Sequence, residues 1–161
     1  MDRVAALLAV TLAAVLVACG GGTSSNTTTA TNPATGAWSE SFTSSSSQPL
    51  GSFSFNMTQN NTNLMGSGMN FANLGSLAQC FGNGTVMSGA MGTGMMNGGA
   101  MNMTMSFTPS GSTQTNTMTM QGNMAMCMGS GSGTFTITGQ TAGCTSQTGT
   151  FSMTHTSIRM M

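Results

Sequence analysis

Met101-Asn102-Met103-Thr104-Met105 and Met118-Thr119-Met120 put a thioether at every second position of the chain. On a strand, such sulfurs share one face with Cα atoms about 7 Å apart, and long unbranched side chains can converge on one ion. Thioether and thiolate donors select Cu(I), and by extension Ag(I). Met124-Ala125-Met126-Cys127-Met128 adds a thiol to the same spacing, and His155 is the one imidazole of the chain. The candidate metal ligands are therefore Met101, Met103, Met105, Met118, Met120, Met124, Met126, Cys127, Met128 and His155. Packing offers a competing account: the methionines alternate in phase with phenylalanines, as core residues do, and a flexible thioether fills irregular gaps. A third use is sacrificial, since exposed methionines absorb oxidants as reversible sulfoxides. Nineteen methionines in 161 residues demand one of the three.

Other chemistry is scarce. Asp2 and Glu40 are the only carboxylate side chains, Arg3 and Arg159 the only strong bases, and there is no tyrosine. A pair of catalytic carboxylates for glycoside hydrolysis cannot be assembled around Glu40 alone. A Ser-His-acid triad would need Glu40 to meet His155 in space. Phosphate neutralisation needs basic residues that are absent, which argues against nucleic acid as a partner. The expected role is non-enzymatic, with no cofactor unless Cu(I) is one, and the sequence names no protein partner.

The elements that must position these residues are strands. Trp38 and Phe42 share parity, as do Phe53, Phe55 and Met57, then Met65, Met69 and Phe71. Met101, Met103, Met105 and Phe107 alternate with Asn102, Thr104 and Ser106, and Phe135, Ile137, Phe151 and Met153 continue the period of two. Segments at 115–122 and 124–131 read as two further strands. No stretch of ten residues has a helical period. Gly, Asn and Ser punctuate the strands, with the runs at 60–63, 94–101 and 129–133 read as turns. About eight strands in an antiparallel meander, with one apolar face to cover, predict an all-β fold: a small barrel or half-open barrel, with a β-sandwich second. A barrel of this size can also enclose one small apolar ligand, which makes a carrier a further possibility. The Met101–Phe107 segment is uncharged and β-prone, an aggregation hazard if left exposed.

The N-terminus reads as targeting. From Val4 to Ala18 all residues but Thr11 are apolar, a length suited to a signal-peptide core and short of the roughly 20 needed to span a bilayer. It ends Leu16-Val17-Ala18-Cys19, which resembles the lipobox of bacterial lipoproteins. That resemblance implies cleavage before Cys19, a diacylglycerol on its thiol and an acyl chain such as palmitate on its new amine. Two or more chains make a stable anchor. Gly20 follows the cysteine instead of an aspartate, which by the same resemblance implies outer-membrane sorting where the source has two membranes. Residues 20–35 lack any large apolar side chain and read as a disordered tether, about 20–25 Å end to end. The expected organisation is a signal peptide at 1–18, a lipidated cysteine and tether at 19–35, and one β-domain at 36–161. Gly36-Ala37-Trp38 with Phe42, Gly84-Thr85 with Ser88-Gly89, and Cys144 with Gly149-Thr150-Phe151 are similar to segments of small, uncharacterised β-rich bacterial lipoproteins. That likeness implies fold and location and carries no activity. The methionine strands with a histidine are similar to those of small periplasmic β-barrel copper chaperones, a family the chain does not otherwise match.

In an oxidising export compartment a cysteine pair defaults to a disulfide. Cys80 and Cys144 both read as loop residues just before strands, and their pairing would close some 65 residues, stabilising the fold by about 4 kcal/mol on the chain-entropy model. Cys127 then remains, either a small buried hydrophobe or a soft ligand.

Overall fold

Period-two patterning produces nearly all of the described structure. This is a computed structural model describing residues 34–82, 86–87, 92–109, 111–125 and 129–156. Cys19, the leader and most of the tether lie outside the described residues, as do Met126, Cys127 and Met128. The strands are β1 (Gly36–Ser44), β2 (Pro49–Asn60), β3 (Asn63–Asn73), β4 (Val86–Met87), β5 (Gly92–Asn97), β6 (Ala100–Phe107), β7 (Asn116–Ala125), β8 (Ser130–Thr138) and β9 (Gln147–His155). A 3-10 turn, Gly75–Leu77, runs into a one-turn helix, α1 (Ala78–Phe81).

Every pairing is antiparallel. β1 lies between β2 and β9, and the order β2-β1-β9-β8-β7-β6-β5-β3 closes on itself through β2–β3 pairing. β4 and β5 pair with successive parts of β3, at Met69–Asn70 and Asn63–Gly66, so together they supply one interrupted stave. The result is an eight-stranded antiparallel barrel, the first of the two expected architectures. The aggregation-prone segment of β6 is paired with β7 along its whole length and with β5 as far as Met105.

Large apolar residues of alternate parity fill the interior. Buried side chains include Trp38, Phe53, Phe55, Phe135 and Phe151, with ten methionines among them. Each such burial contributes roughly 1.5–3 kcal/mol. Inward glycines make room for the sulfurs. A Cβ at Gly92 would sit 3.5 Å from the Met103 sulfur, and one at Gly131 would sit 3.2 Å from that of Met153. The 129–133 run is therefore mostly strand, with Gly131 and Gly133 on inward positions of β8. This corrects the reading of that run as a turn, and β5 and β6 correct the same reading of 94–101, where only Gly98 and Gly99 form the turn. The chain also passes through Gly122 without a break, so the strand expected at 115–122 and the start of the one expected at 124–131 are a single strand, β7, while Ser130 and Gly131 belong to β8.

Two further expectations fail locally. Met65 points outward, 47% exposed, while Leu64, Met69 and Phe71 are buried. An irregularity in β2–β3 pairing between Ser54 and Asn56, with Gly68 at φ +60°, inserts an extra residue and switches the parity of β3. Cys80 lies in α1, not in a loop before a strand.

The two ends of the barrel are closed differently. At the plug end, Leu74, Leu77 and Phe81 are buried, with Phe81 against Phe107 at a ring separation of 4.3 Å. A disulfide joins Cys80 to Cys144, 64 residues apart. Beside it, buried Asn116 donates to the Cys80 carbonyl (2.7 Å) and the Thr141 hydroxyl (2.8 Å), and accepts from the Gln140 and Thr141 backbone N–H groups (2.8 and 3.1 Å). At the entry end, residues 34–36 lead the chain into β1. The Ala34 N–H donates to the Gln59 side-chain carbonyl (3.0 Å), and Trp38 Nε1 donates to the Ala34 carbonyl (2.9 Å).

Candidate functional site

The inward face of β6 and β7 gathers the methionine rows. Met103 lies directly opposite Met120, and Met105 opposite Met118. All four are fully buried, a block of thioethers two residues apart along each strand and one strand spacing across. Met101 is opposite Gly122, and Met124 is opposite Gly131, both nearer the entry end. Met69 joins the block from β3: its methyl and that of Met103 each lie 3.4 Å from the position a Cβ would take at Gly66. Six of the candidate ligands therefore share one apolar interior.

His155 does not join them. It occupies the inward phase of β9 at the entry end, not the outer face, and is half-buried opposite Trp38. Its ring meets Trp38 edge to face at 5.0 Å, and Nε2 lies 3.4 Å from the Thr35 carbonyl oxygen. Met126, Cys127 and Met128 lie outside the described residues. Among the described residues, no three His, Cys, Asp or Glu side chains come together.

The residue that sequence reasoning missed as a site is Glu40. It is fully buried on the inward face of β1, and neither carboxyl oxygen has a hydrogen-bond partner. The signal was present, because Glu40 shares parity with Trp38 and Phe42. Along its own strand it is flanked by those two rings, and across the sheet by Phe53 on β2 and Met153 on β9. Burial in these apolar surroundings pushes the Glu40 carboxyl well above the usual carboxylate range. The charged form is penalised because nothing replaces its water. The triad considered from sequence is not built: Glu40 is partnered across the sheet by Met153, and His155 by Trp38.

Two hollows of about 400 Å³ open on the wall of the barrel. One is lined by Thr93, Gly94, Met95, Asn102 and Thr104, and the other by both apolar and polar residues, Trp38, Phe55, Ser54, Asn56 and Asn70 among them. Both are open to solvent, unlike the enclosed interior cavity of a barrel that carries a small apolar ligand.

The chain matches no protein-family model and no curated protein. The chemistry must be read from the interior itself. Ten buried thioethers can pack, or can coordinate a soft monovalent ion. One carboxyl without partners can accept a proton or a cation.

Proposed function

We propose that this chain is a cell-envelope lipoprotein, anchored through Cys19 and carrying a closed barrel with a non-enzymatic structural or binding role. The observation that carries the reading is the lipobox-like Leu16-Val17-Ala18-Cys19, separated from the barrel by some sixteen tether residues without a large apolar side chain. The barrel complements such an anchor. Its chain enters β1 at one end, and the disulfide-stapled plug lies at the other. A cysteine bridge suits an oxidising compartment. Outer-membrane sorting follows from Gly20 where two membranes exist. Intact-mass spectrometry of the protein from its source cell tests the anchor. The expected species starts at Cys19 and carries a diacylglyceryl and an acyl group, and both are lost in Cys19→Ala. An unmodified thiol at Cys19 refutes it.

A second reading is favoured by one specific observation, the unpartnered Glu40 carboxyl in a thioether-lined interior. In this reading the barrel binds Cu(I) or Ag(I). Competition of the protein against free methionine for Ag(I) tests it, and affinity no better than that of the free amino acid rejects it.

A further inference from the structure

The inward row that contains Glu40 has an unusual composition. Across the sheet from β1 it reads Glu40, Met153, Gly131 and Met124. Gly131 has no side chain, and Met153 leans over it, with its Cγ 3.0 Å and its sulfur 3.2 Å from where a Cβ would be. Met124 borders the same gap from β7 and is also buried. The Met153 sulfur thus rests on the β8 side of its strand, away from Glu40, but directly opposed residues have Cβ atoms about 5 Å apart, and rotation about the Met153 side-chain bonds brings the thioether towards the Glu40 carboxyl. The other three flanks of Glu40 are Trp38, Phe42 and Phe53. Their ring faces carry negative potential and attract cations.

Resting on the soft-cation reading, we propose that Glu40 and Met153, with Met124 across the Gly131 gap, hold one monovalent soft cation, Cu(I) or Ag(I). The Glu40 carboxyl releases its proton to solvent as the ion enters, and the resulting carboxylate supplies the single negative charge that makes the filled site neutral. A +1 ion beside one carboxylate leaves no net charge in the interior, whereas a divalent ion would leave an uncompensated positive charge there, at high desolvation cost. Thioethers set the preference for Cu(I) or Ag(I) over Na⁺ and K⁺. Met103, Met105, Met118 and Met120 pack the barrel in inward rows nearer the plug end, whereas Met153 and Met124 share the row of Glu40. Sequence spacing pointed to those M-x-M pairs; the carboxylate moves the site to β1 and β9.

The test uses the full chain in detergent with Cys19→Ser and Cys127→Ser, which removes the two cysteines outside the disulfide. Silver nitrate in chloride-free buffer with excess K⁺ is titrated against free methionine as competitor. The expected result is one Ag(I) per chain. Glu40→Gln should weaken it at least about a hundredfold, because one partner of a buried charge pair is gone. Met153→Leu should weaken it about tenfold, while Met103→Leu and the exposed Met65→Leu leave it unchanged. Cooperative unfolding of each variant confirms that it is folded, and Met153→Leu carries the test if Glu40→Gln does not fold. Wild-type affinity no better than free methionine overturns both the site and the soft-cation reading. Tight binding that survives Glu40→Gln and Met153→Leu overturns the site alone, and loss on Met103→Leu would then place the ion in the β6–β7 block.

Discussion

Glu40 gives the barrel a stability that depends on pH in the opposite direction from ordinary acid denaturation. Because burial raises its folded-state pKa, the native state binds more protons than the unfolded state at pH values above the ordinary glutamate range. Stability then falls as pH rises from that range to the raised folded value, by at most about 1.4 kcal/mol per pH unit, and levels off beyond it. Glu40 is the only carboxylate side chain after Asp2, so no second acid in the barrel opposes the trend. Replacement with Met, the commonest buried residue type among the described residues, also removes two oxygens without partners. Each unsatisfied buried group costs about 1–3 kcal/mol, so Glu40→Met should gain roughly 3 kcal/mol at pH 4 and more at pH 7. Glu40→Gln imitates the protonated acid and should give a flat profile. Urea unfolding of metal-free, disulfide-intact protein between pH 4 and pH 8 measures all three. A wild type more stable at pH 7 than at pH 4, or a Glu40→Gln profile as steep as wild type, would refute the reasoning.

Three other expectations concern the scaffold. Cys80→Ser with Cys144→Ser should cost about 4 kcal/mol in urea unfolding, from the 64-residue separation that the bridge closes. Asn116→Ala leaves the Cys80 carbonyl and the Gln140 and Thr141 N–H groups without their partner and should lower stability by roughly 3 kcal/mol, with early hydrogen exchange in 139–146. Gly131→Ala crowds the movable Met153 and should cost about 1–3 kcal/mol. Gly133→Ala drives its Cβ into the Gln121 carbonyl oxygen and the Gly122 Cα of the neighbouring strand, so thermal melts should show it to be much the worse of the two.

Strand parity was legible wherever Met and Phe alternate with Asn, Thr and Ser, and parity led to the barrel. It failed at Met65 because a bulge needs cross-strand information: β3 turns over only in relation to β2. It failed at Gly129–Gly133 because glycine signals turns in isolation, whereas Gly131 is needed for the bulk of Met153, which arrives from 22 positions later in the chain. Cys80 was misplaced because a one-turn helix is too short to show a period; tertiary packing of Leu77 and Phe81 holds it. For the candidate site, the methionines were visible as a group and Glu40 was not. Its parity with Trp38 and Phe42 pointed inward, but a single carboxylate has no spacing pattern, and only the closed wall shows that it is left without a partner.

The pairing of β1 with β9 carries a consequence for synthesis and transport. The seam between the first and last staves can zip only when residues 147–155 are present, so any shorter nascent chain is an open sheet with its greasy side uncovered. A polypeptide threaded N-terminus first through a narrow pore would reach the far side before it could seal itself.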